Sequence, residues 1–431
     1  MNSGKRIVLT TFGSYGDLHP YIALGLALKE LGHRPVVATS DVYREKVEDT
    51  GLEFHAVRPD LPPLDDPRAG EMIAKVMDTS AGAGVEYLLK DLLMSDVRGG
   101  YADLLAAVDG ADFLLTHPIT FAGPLVAEKT GIKWFSSVLA PVSFFSRFDP
   151  PLPPTTQWLF RAARAVGPWA TGALINLIKL RTRPWLEPVE ALRKELDLKP
   201  GGHPIFEGQH SPYGVLALFS RVLAEPQKDW PANTRVTGFP FYDKKDGLPC
   251  PPELAQFLDQ GPPPIVFTLG SSAVFTAGEF YRESRDAAAQ LNHRAVFLIG
   301  DNRNQFDGAL PNEMIAVDYA PYSELLPRAA AVVHQGGVGT TGQSLRAGVP
   351  QLIMPFNHDQ PDNADRVARL SAGRAISRRD YRAARAAKEL EMILSSSAYS
   401  TRAREVGEIV RAESGAETAA RVIEEEIGRR D

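Results

Sequence analysis

The sequence predicts an α/β protein made of two doubly wound halves, each a parallel sheet covered by helices. Three observations carry this. An apolar, β-branched run enters a glycine loop twice, at "RIVLTTFG" (6–13) and at "PIVFTLGSS" (264–272), and a segment of helical spacing follows each time. The 431 residues exceed the size at which a single core stops growing.

Taken in order, "RIVLTTFG" has no polar alternation, as expected of a strand buried on both faces of a parallel sheet. After "GSYGDLHP", the segment Tyr21 to Gly32 sets Ile22, Leu24, Leu28 and Leu31 at helical spacing, and Gly32 supplies the stop. "RPVVATS" is a second strand, and "FLLTHP" and "IKWFSSV" continue the set. This order implies right-handed crossovers and ligands beyond the carboxyl ends of the strands. In the second half a helix is expected from about Gly278 to Leu291, with strands at "HRAVFLIG", "EMIAVDYAP", "AAVVHQGG" and "VPQLIMPF". The expected division is a first domain over 1–238, a linker over 239–262 rich in proline, glycine and charge, and a second domain over 263–400. The helical segment 401–431 closes the second domain or crosses back to the first.

The region from Pro141 to Leu196 breaks this grammar, being aromatic, proline-broken and apolar without strand alternation. Its uncharged stretch, Ala165 to Ile178, falls short of the ~20 residues that span a bilayer. Three readings stand: a helical pair packed on the first domain, a wall of an apolar pocket, or a peripheral contact with a membrane surface. Phe144, Phe145 and Phe148 are the pocket candidates, with Trp158 and Trp169 beside them.

Composition excludes other classes. Apolar content of 44% and charged content of 23% suit a globular chain, and a net charge of −6 without a basic stripe argues against a nucleic-acid partner. Cys250 is the sole cysteine, which excludes an internal disulfide or a multi-thiolate metal site. The first apolar run is too short for a signal-peptide core, so a cytoplasmic location is expected. No carboxylate pair at a strand end and no His/Cys cluster has metal spacing, so no metal and no resident cofactor are expected.

The most informative stretch is "VVHQGGVGTTGQSLRAGVPQLIMPFNHDQPDNADRV", from Val332. A strand, a Gly-Gly-Val-Gly-Thr-Thr loop and a helix bring backbone N–H groups and the positive end of a helix dipole to one spot, which is how proteins hold phosphate. Gly336, Gly337 and Gly339 let the backbone come close, Thr340 and Thr341 add hydroxyls, and His334 can donate from its imidazole. A tight strand-to-helix turn is the plainer alternative. Asp359 and Gln360 stand at the mouth of the next helix, as partners for sugar hydroxyls or, for Asp359, as a helix cap ahead of Pro361.

His-x-Gly-Gly-x-Gly-Thr-Thr, "AGVPQLIMPF" and "HDQPDNADRV" together resemble the donor-binding signature of nucleotide-sugar glycosyltransferases, a family including plant natural-product, bacterial antibiotic and sterol enzymes. "TTFGSYGDLHPYIALGLALKELGHRP" is similar to the bacterial and sterol branches. "HSPYGVLALFSRVLAEPQKDWPANTRVTGFPFYD" resembles the rhamnosyltransferases of rhamnolipid synthesis. The resemblance implies a GT-B fold, two Rossmann-like domains with the acceptor mainly on the first and the nucleotide-sugar on the second. By position it implies diphosphate contacts at Gly13, Ser271, Ser272, His334, Gly336, Gly337, Val338, Gly339 and Thr340, and sugar contacts at Asp359 and Gln360. "DYAPYSELLP" matches the base-binding segment through Tyr319, Ala320 and Tyr322; tyrosines replace the tryptophan and glutamine of plant members, leaving uridine and deoxythymidine both open.

Inverting transfer needs a base for the acceptor proton. Plant members place a histidine where Gly16-Asp17-Leu18-His19-Pro20 has Asp17, so the resemblance makes Asp17 the base, with His19 two residues on. His117, counted back from "GIKW", falls where plant members carry the aspartate that orients their histidine, giving the same pair with its members exchanged; a satisfied histidine at a strand end is the alternative. The expected reaction moves a hexosyl group, from a UDP-glucose or dTDP-rhamnose type of donor, to a phenolic or hydroxy-acyl acceptor. A nucleotide-sugar 2-epimerase of the same fold and a non-enzymatic two-domain binder are the rivals. The apolar 141–196 region is superfluous in the epimerase.

Overall fold

The structure, a computed structural model, describes residues 4–63, 66–78, 80–243, 250–300 and 304–429. The chain divides into two compact units, Met1–Tyr242 with Ser414–Asp431, and Asp243–Glu413. In the first unit seven parallel strands run in the order β3-β2-β1-β4-β5-β6-β7: β1 Arg6–Thr10, β2 Arg34–Thr39, β3 Glu53–Ala56, β4 Phe113–Thr116, β5 Trp134–Val138, β6 Val215–Ala217 and β7 Thr234–Val236. The second unit has six parallel strands in the order β10-β9-β8-β11-β12-β13: β8 Ile265–Thr268, β9 Ala295–Leu298, β10 Met314–Val317, β11 Ala331–His334, β12 Gln351–Ile353 and β13 Gly373–Ala375.

Ile7, Val8 and Leu9 of β1 are wholly buried, as are Ile265, Val266 and Phe267 of β8. Each such side chain contributes about 1.5–3 kcal/mol by leaving water, which is why these runs lack polar alternation. Both orders reverse direction once, between β1 and β4 and between β8 and β11. At such a switch point the two flanking loops diverge and leave a crevice at the carboxyl ends of the strands.

The helix Tyr15–Glu30 follows β1 and buries residues all round, among them Leu18, Tyr21, Ile22, Leu24 and Leu28. One side lies against the sheet and another against the helix Gly415–Gly428, which belongs to the same unit. The segment read as linker, 239–262, contains the helix Pro252–Asp259, whose Leu254, Phe257 and Leu258 join the core of the second sheet. Its proline at the first helical turn, a position that favours proline, gave it the composition of a loop. Residues 244–249 of that segment lie outside the described residues. The carboxy-terminal stretch is two helices rather than one: Ser397–Ala412 packs on Val338–Ala347 within the second unit, and Gly415–Gly428 belongs to the first.

Candidate functional site

At the switch point of the first unit, β1 leads into Thr11-Phe12-Gly13 and Ser14 caps the next helix. The helix start is a capping box. Ser14 Oγ accepts from the N–H of Gly16 at 3.2 Å, while Asp17 Oδ2 accepts from the Ser14 N–H at 2.8 Å and its hydroxyl at 3.2 Å. One carboxylate oxygen is thereby fixed. The other, Oδ1, faces Nε2 of His117 at 3.5 Å. His117 stands just past β4, and its Nδ1 accepts from the N–H of Ile119 at 3.4 Å, which puts the ring proton on Nε2, toward the carboxylate. The imidazole is buried and the carboxylate is one-third exposed, so solvent or a ligand reaches the pair from the aspartate side. Gly13 permits this packing: its φ is +134°, and a Cβ there would stand 2.2 Å from Asp17 Oδ2.

His19 does not join the pair. Its ring lies between Tyr15, at 5.4 Å, and Tyr242, at 5.2 Å. Burial, with the nearby Lys46 charge adding to it, lowers its pKa to about 4, so it is a neutral packing group at pH 7. Under the turn that follows His117, a small cavity of about 40 Å³ is lined by Phe12, Val57, Leu93, Ile119 and Phe121, with Arg58 and Asp96 at its polar side. These residues were not singled out from sequence, because single apolar residues at strand ends look the same whether they line a cavity or fill a core.

The predicted aromatic pocket is corrected. Phe144 is buried in a stack with Trp230 at 3.9 Å and His210 at 5.7 Å, so it is core. Phe145, with φ of +47°, packs on Phe206 at 4.3 Å. Phe148 is exposed under the Arg147 guanidinium.

In the second unit the loop after β11 leads into the helix Val338–Ala347, whose cap residue Gly337 offers no side chain. The N–H groups of its first turn have no carbonyl within the helix. That of Val338 is taken by Asp359 Oδ2 at 3.1 Å. A Cβ on Gly339 would meet nothing within 4 Å, so the helix start faces open space. The loop after β8 approaches the same place: a Cβ at Gly270, whose φ is +64°, would lie 2.5 Å from Nε2 of Gln335 and 3.4 Å from Oγ1 of Thr340. Ser271 is exposed and Ser272 partly so on the short turn that follows.

Three expectations for this unit are revised. His334 is fully buried, with Nδ1 accepting from the Gly336 N–H at 3.0 Å and Nε2 donating to Oε1 of Gln351 at 2.9 Å. Both ring nitrogens are thus used inside the fold, and the histidine shapes the loop instead of offering a donor to phosphate. Burial lowers its pKa to about 4 despite the Gln351 bond, so the ring is neutral. The Tyr322 hydroxyl bonds Thr268 at 2.9 Å and also Thr340, joining the two loops instead of facing a base. Of Tyr319, Ala320 and Tyr322, only Tyr319 is exposed, at 54%, while Ala320 is buried. Asp359 does not cap its own helix. Besides Val338 it accepts from Asn363 Nδ2 at 2.7 Å, and Asn363 also donates to the Gly336 carbonyl at 2.9 Å. Gln360 Oε1 accepts from the N–H groups of Phe356 at 2.8 Å and Asn357 at 3.2 Å, leaving its NH2 end to donate. Gln335, Gln351 and Asn363 were missed from sequence; an amide following a histidine at a strand end was the available signal for the first.

Among the described residues, no group of three or more His, Cys, Asp or Glu is arranged to hold a metal ion, and no helix is long and apolar enough to cross a membrane. Residues 7–142 match the Glycosyltransferase family 28 N-terminal domain, and residues 282–425 the Erythromycin biosynthesis protein CIII-like C-terminal domain. The chain is 34% identical to the O-mycaminosyltylonolide 6-deoxyallosyltransferase of Streptomyces fradiae over 97% of both proteins. It is 28% identical to the sterol 3-beta-glucosyltransferase of Pichia angusta over 98% of its own length and 33% of that relative's, so it spans about a third of the sterol enzyme. The crystal structure of the glycosyltransferase VinC, in complex with dTDP, superposes with a TM-score of 0.68 at 20% identity, covering 99% of this chain and 100% of that one. With two parallel-sheet units, a helix start open to an anion and a full-length relative above 30% identity, the chain belongs to the nucleotide-sugar glycosyltransferases of GT-B fold.

Proposed function

We propose that this glycosyltransferase moves a hexosyl group, with inversion, from a nucleoside-diphosphate sugar to a hydroxyl of an apolar natural product or lipid. The observation that carries this reading is the Asp17–His117 pair: one carboxylate oxygen is fixed by the capping box and the other stands 3.5 Å from a ring nitrogen. In the proposed step the acceptor oxygen bonds the anomeric carbon as the bond to the diphosphate breaks, and the acceptor proton passes to Asp17 Oδ1. His117 orients the carboxylate through its Nε2–H. The departing diphosphate gains negative charge as it leaves, and the N–H groups of Gly339 and Thr340 at the open helix start stabilise it.

The second unit takes the donor, with Tyr319 exposed for stacking on a uracil or thymine base and the Gln360 NH2 for a sugar hydroxyl. Donors of the UDP-glucose or dTDP-rhamnose type both fit this chemistry. The first unit takes the acceptor, whose hydroxyl meets the exposed side of the Asp17 carboxylate. No resident metal or cofactor enters the scheme, and turnover is expected to survive a chelator. A single cysteine is consistent with work in a reducing, cytoplasmic compartment.

The test is donor binding by calorimetry with UDP and dTDP, followed by turnover with the matching sugar donors over a panel of macrolide, phenolic, sterol and hydroxy-acyl acceptors. Binding of one diphosphate and transfer to one acceptor class establish the reading. Failure of both diphosphates to bind removes it.

A further inference from the structure

The helices Gln157–Val166 and Pro168–Thr182 form a hairpin turning at Gly167. Their inner faces pack through Phe160, Ile175, Leu152 and Phe206. The outer faces are apolar as well. Trp169, Ala173, Leu177 and Leu180 follow one another at i, i+4, i+8 and i+11, a single helical stripe, and all four are exposed. Trp158, Ala162, Ala165 and Val166 form the matching exposed stripe on the first helix.

The exposure is concentrated here. Trp169 is 83% exposed, Val166 73%, Trp158 and Leu180 71%, and Leu177 61%. Every large apolar side chain above 60% exposure among the described residues belongs to this hairpin. Scattered exposed leucines need no explanation, but contiguous stripes on two neighbouring helices mark an interaction surface.

Charge selects the partner. Between residues 147 and 183 the chain carries Arg147, Arg161, Arg164, Lys179, Arg181 and Arg183 against Asp149 alone, and although Arg147 pairs with Asp229 and Lys179 with Glu207, the segment stays basic within a protein of net charge −6. Arg181 and Arg183 are exposed and follow directly on Leu180. Tryptophans whose rings meet the headgroup level, leucines beneath them and arginines at the rim are the composition of a segment lying in a membrane interface. A second copy of this chain offers the same basic rim and would repel it. We infer that the outer face of the 157–182 hairpin docks on an anionic lipid surface, holding the enzyme at a bilayer without crossing it. The inference stands on exposure and charge alone and does not depend on the acceptor named above.

Flotation with phosphatidylcholine vesicles, with and without phosphatidylglycerol, tests it on the full chain. The protein is expected to float with the anionic vesicles and to be released by high salt, since arginines near such a surface contribute about five-fold each to binding. Of the five tryptophans, Trp134 and Trp230 are already buried and Trp185 is half-buried against the first unit's core, so a blue shift in emission on adding vesicles reports chiefly Trp158 and Trp169. Trp169→Ser with Leu177→Ser and Leu180→Ser should abolish flotation, and Arg181→Glu with Arg183→Glu should weaken it, with calorimetric diphosphate binding and circular dichroism unchanged in both. Absence of wild-type flotation on anionic vesicles, or flotation that persists in the serine variant, overturns the inference. So does a wild-type dimer in light scattering that the serine variant dissociates while no lipid binds.

Discussion

The two units share a fold and a switch point but present opposite chemistry there. In the first, the loops after β1 and β4 bring together a carboxylate and an imidazole, and the helix start is sealed by its own Ser14. In the second, the loops after β8 and β11 bring together glycines and amides, the histidine is buried and neutral, and the helix start has a cap residue without a side chain, Asp359 taking the Val338 N–H while the Gly339 side stays open. A helix start closed over by its own serine and carboxylate leaves little room for an anion, whereas one whose exposed Gly339 faces open space admits it. On the function proposed above, one architecture gives a site for moving a proton and a site for holding a diphosphate, separated by what fills the first turn of one helix.

The largest effect expected from breaking this comparison is on the proton site. Asp17→Asn keeps an acceptor oxygen for the Ser14 N–H but cannot take up the acceptor proton, and turnover should fall by about 10²–10⁴-fold. Calorimetric diphosphate affinity should stay the same, because the proposed diphosphate site belongs to the second unit. A comparable loss of affinity in this variant would show that the units do not divide the chemistry this way. Next in size is Gly270→Ala, which puts a side chain at φ of +64° against the Gln335 amide. Strain of about 1–3 kcal/mol should appear as weaker UDP or dTDP binding, roughly ten-fold or more. Unchanged affinity would remove the β8 loop from the donor site.

The repeated strand-into-glycine pattern made the two sheets legible, because strands buried on both faces must be continuously apolar and nothing else in the chain looks like them. Asp17 and His117 were legible only through family spacing, since they are a hundred residues apart in sequence. The role of His334 was misread for a physical reason. A histidine at a strand end reads as a donor to a ligand, and only the fold shows that Gly336 and Gln351 already use both nitrogens. Phe144 failed in the same way, its stack on Trp230 joining residues far apart in the chain.

Acid sharpens the comparison further. His19 and His210 in the first unit and His334 in the second all have pKa values lowered by burial to about 4. Each is neutral in the fold, while the unfolded chain takes up a proton below about 6.5. The unfolded state therefore binds more protons between these values. The stability from keeping the rings neutral is complete above pH 6.5 and is lost as pH falls toward 4. His210→Phe, which keeps a ring on Phe144, should flatten the stability–pH slope between pH 5 and 6 by roughly 1.4 kcal/mol per unit, as followed by denaturant unfolding. An unchanged slope would mean that His210 is protonated in the fold.

The smallest effect concerns the seal itself. Ser14→Ala removes the hydroxyl that accepts from Gly16 and donates to Asp17, but leaves the backbone N–H of Ser14 on Asp17 Oδ2. Losing such a cap costs about 1 kcal/mol, read as a modest fall in the unfolding midpoint. The carboxylate keeps its strongest tether, so turnover should drop far less than in Asp17→Asn, and diphosphate binding should not move. If Ser14→Ala instead matched Asp17→Asn in turnover while losing only this much stability, the hydroxyl would be part of the proton path rather than a seal. The first unit's helix start would then be chemically active in its own right, and the contrast with the open start at Gly337 would lie in which group occupies the first turn rather than in whether one does.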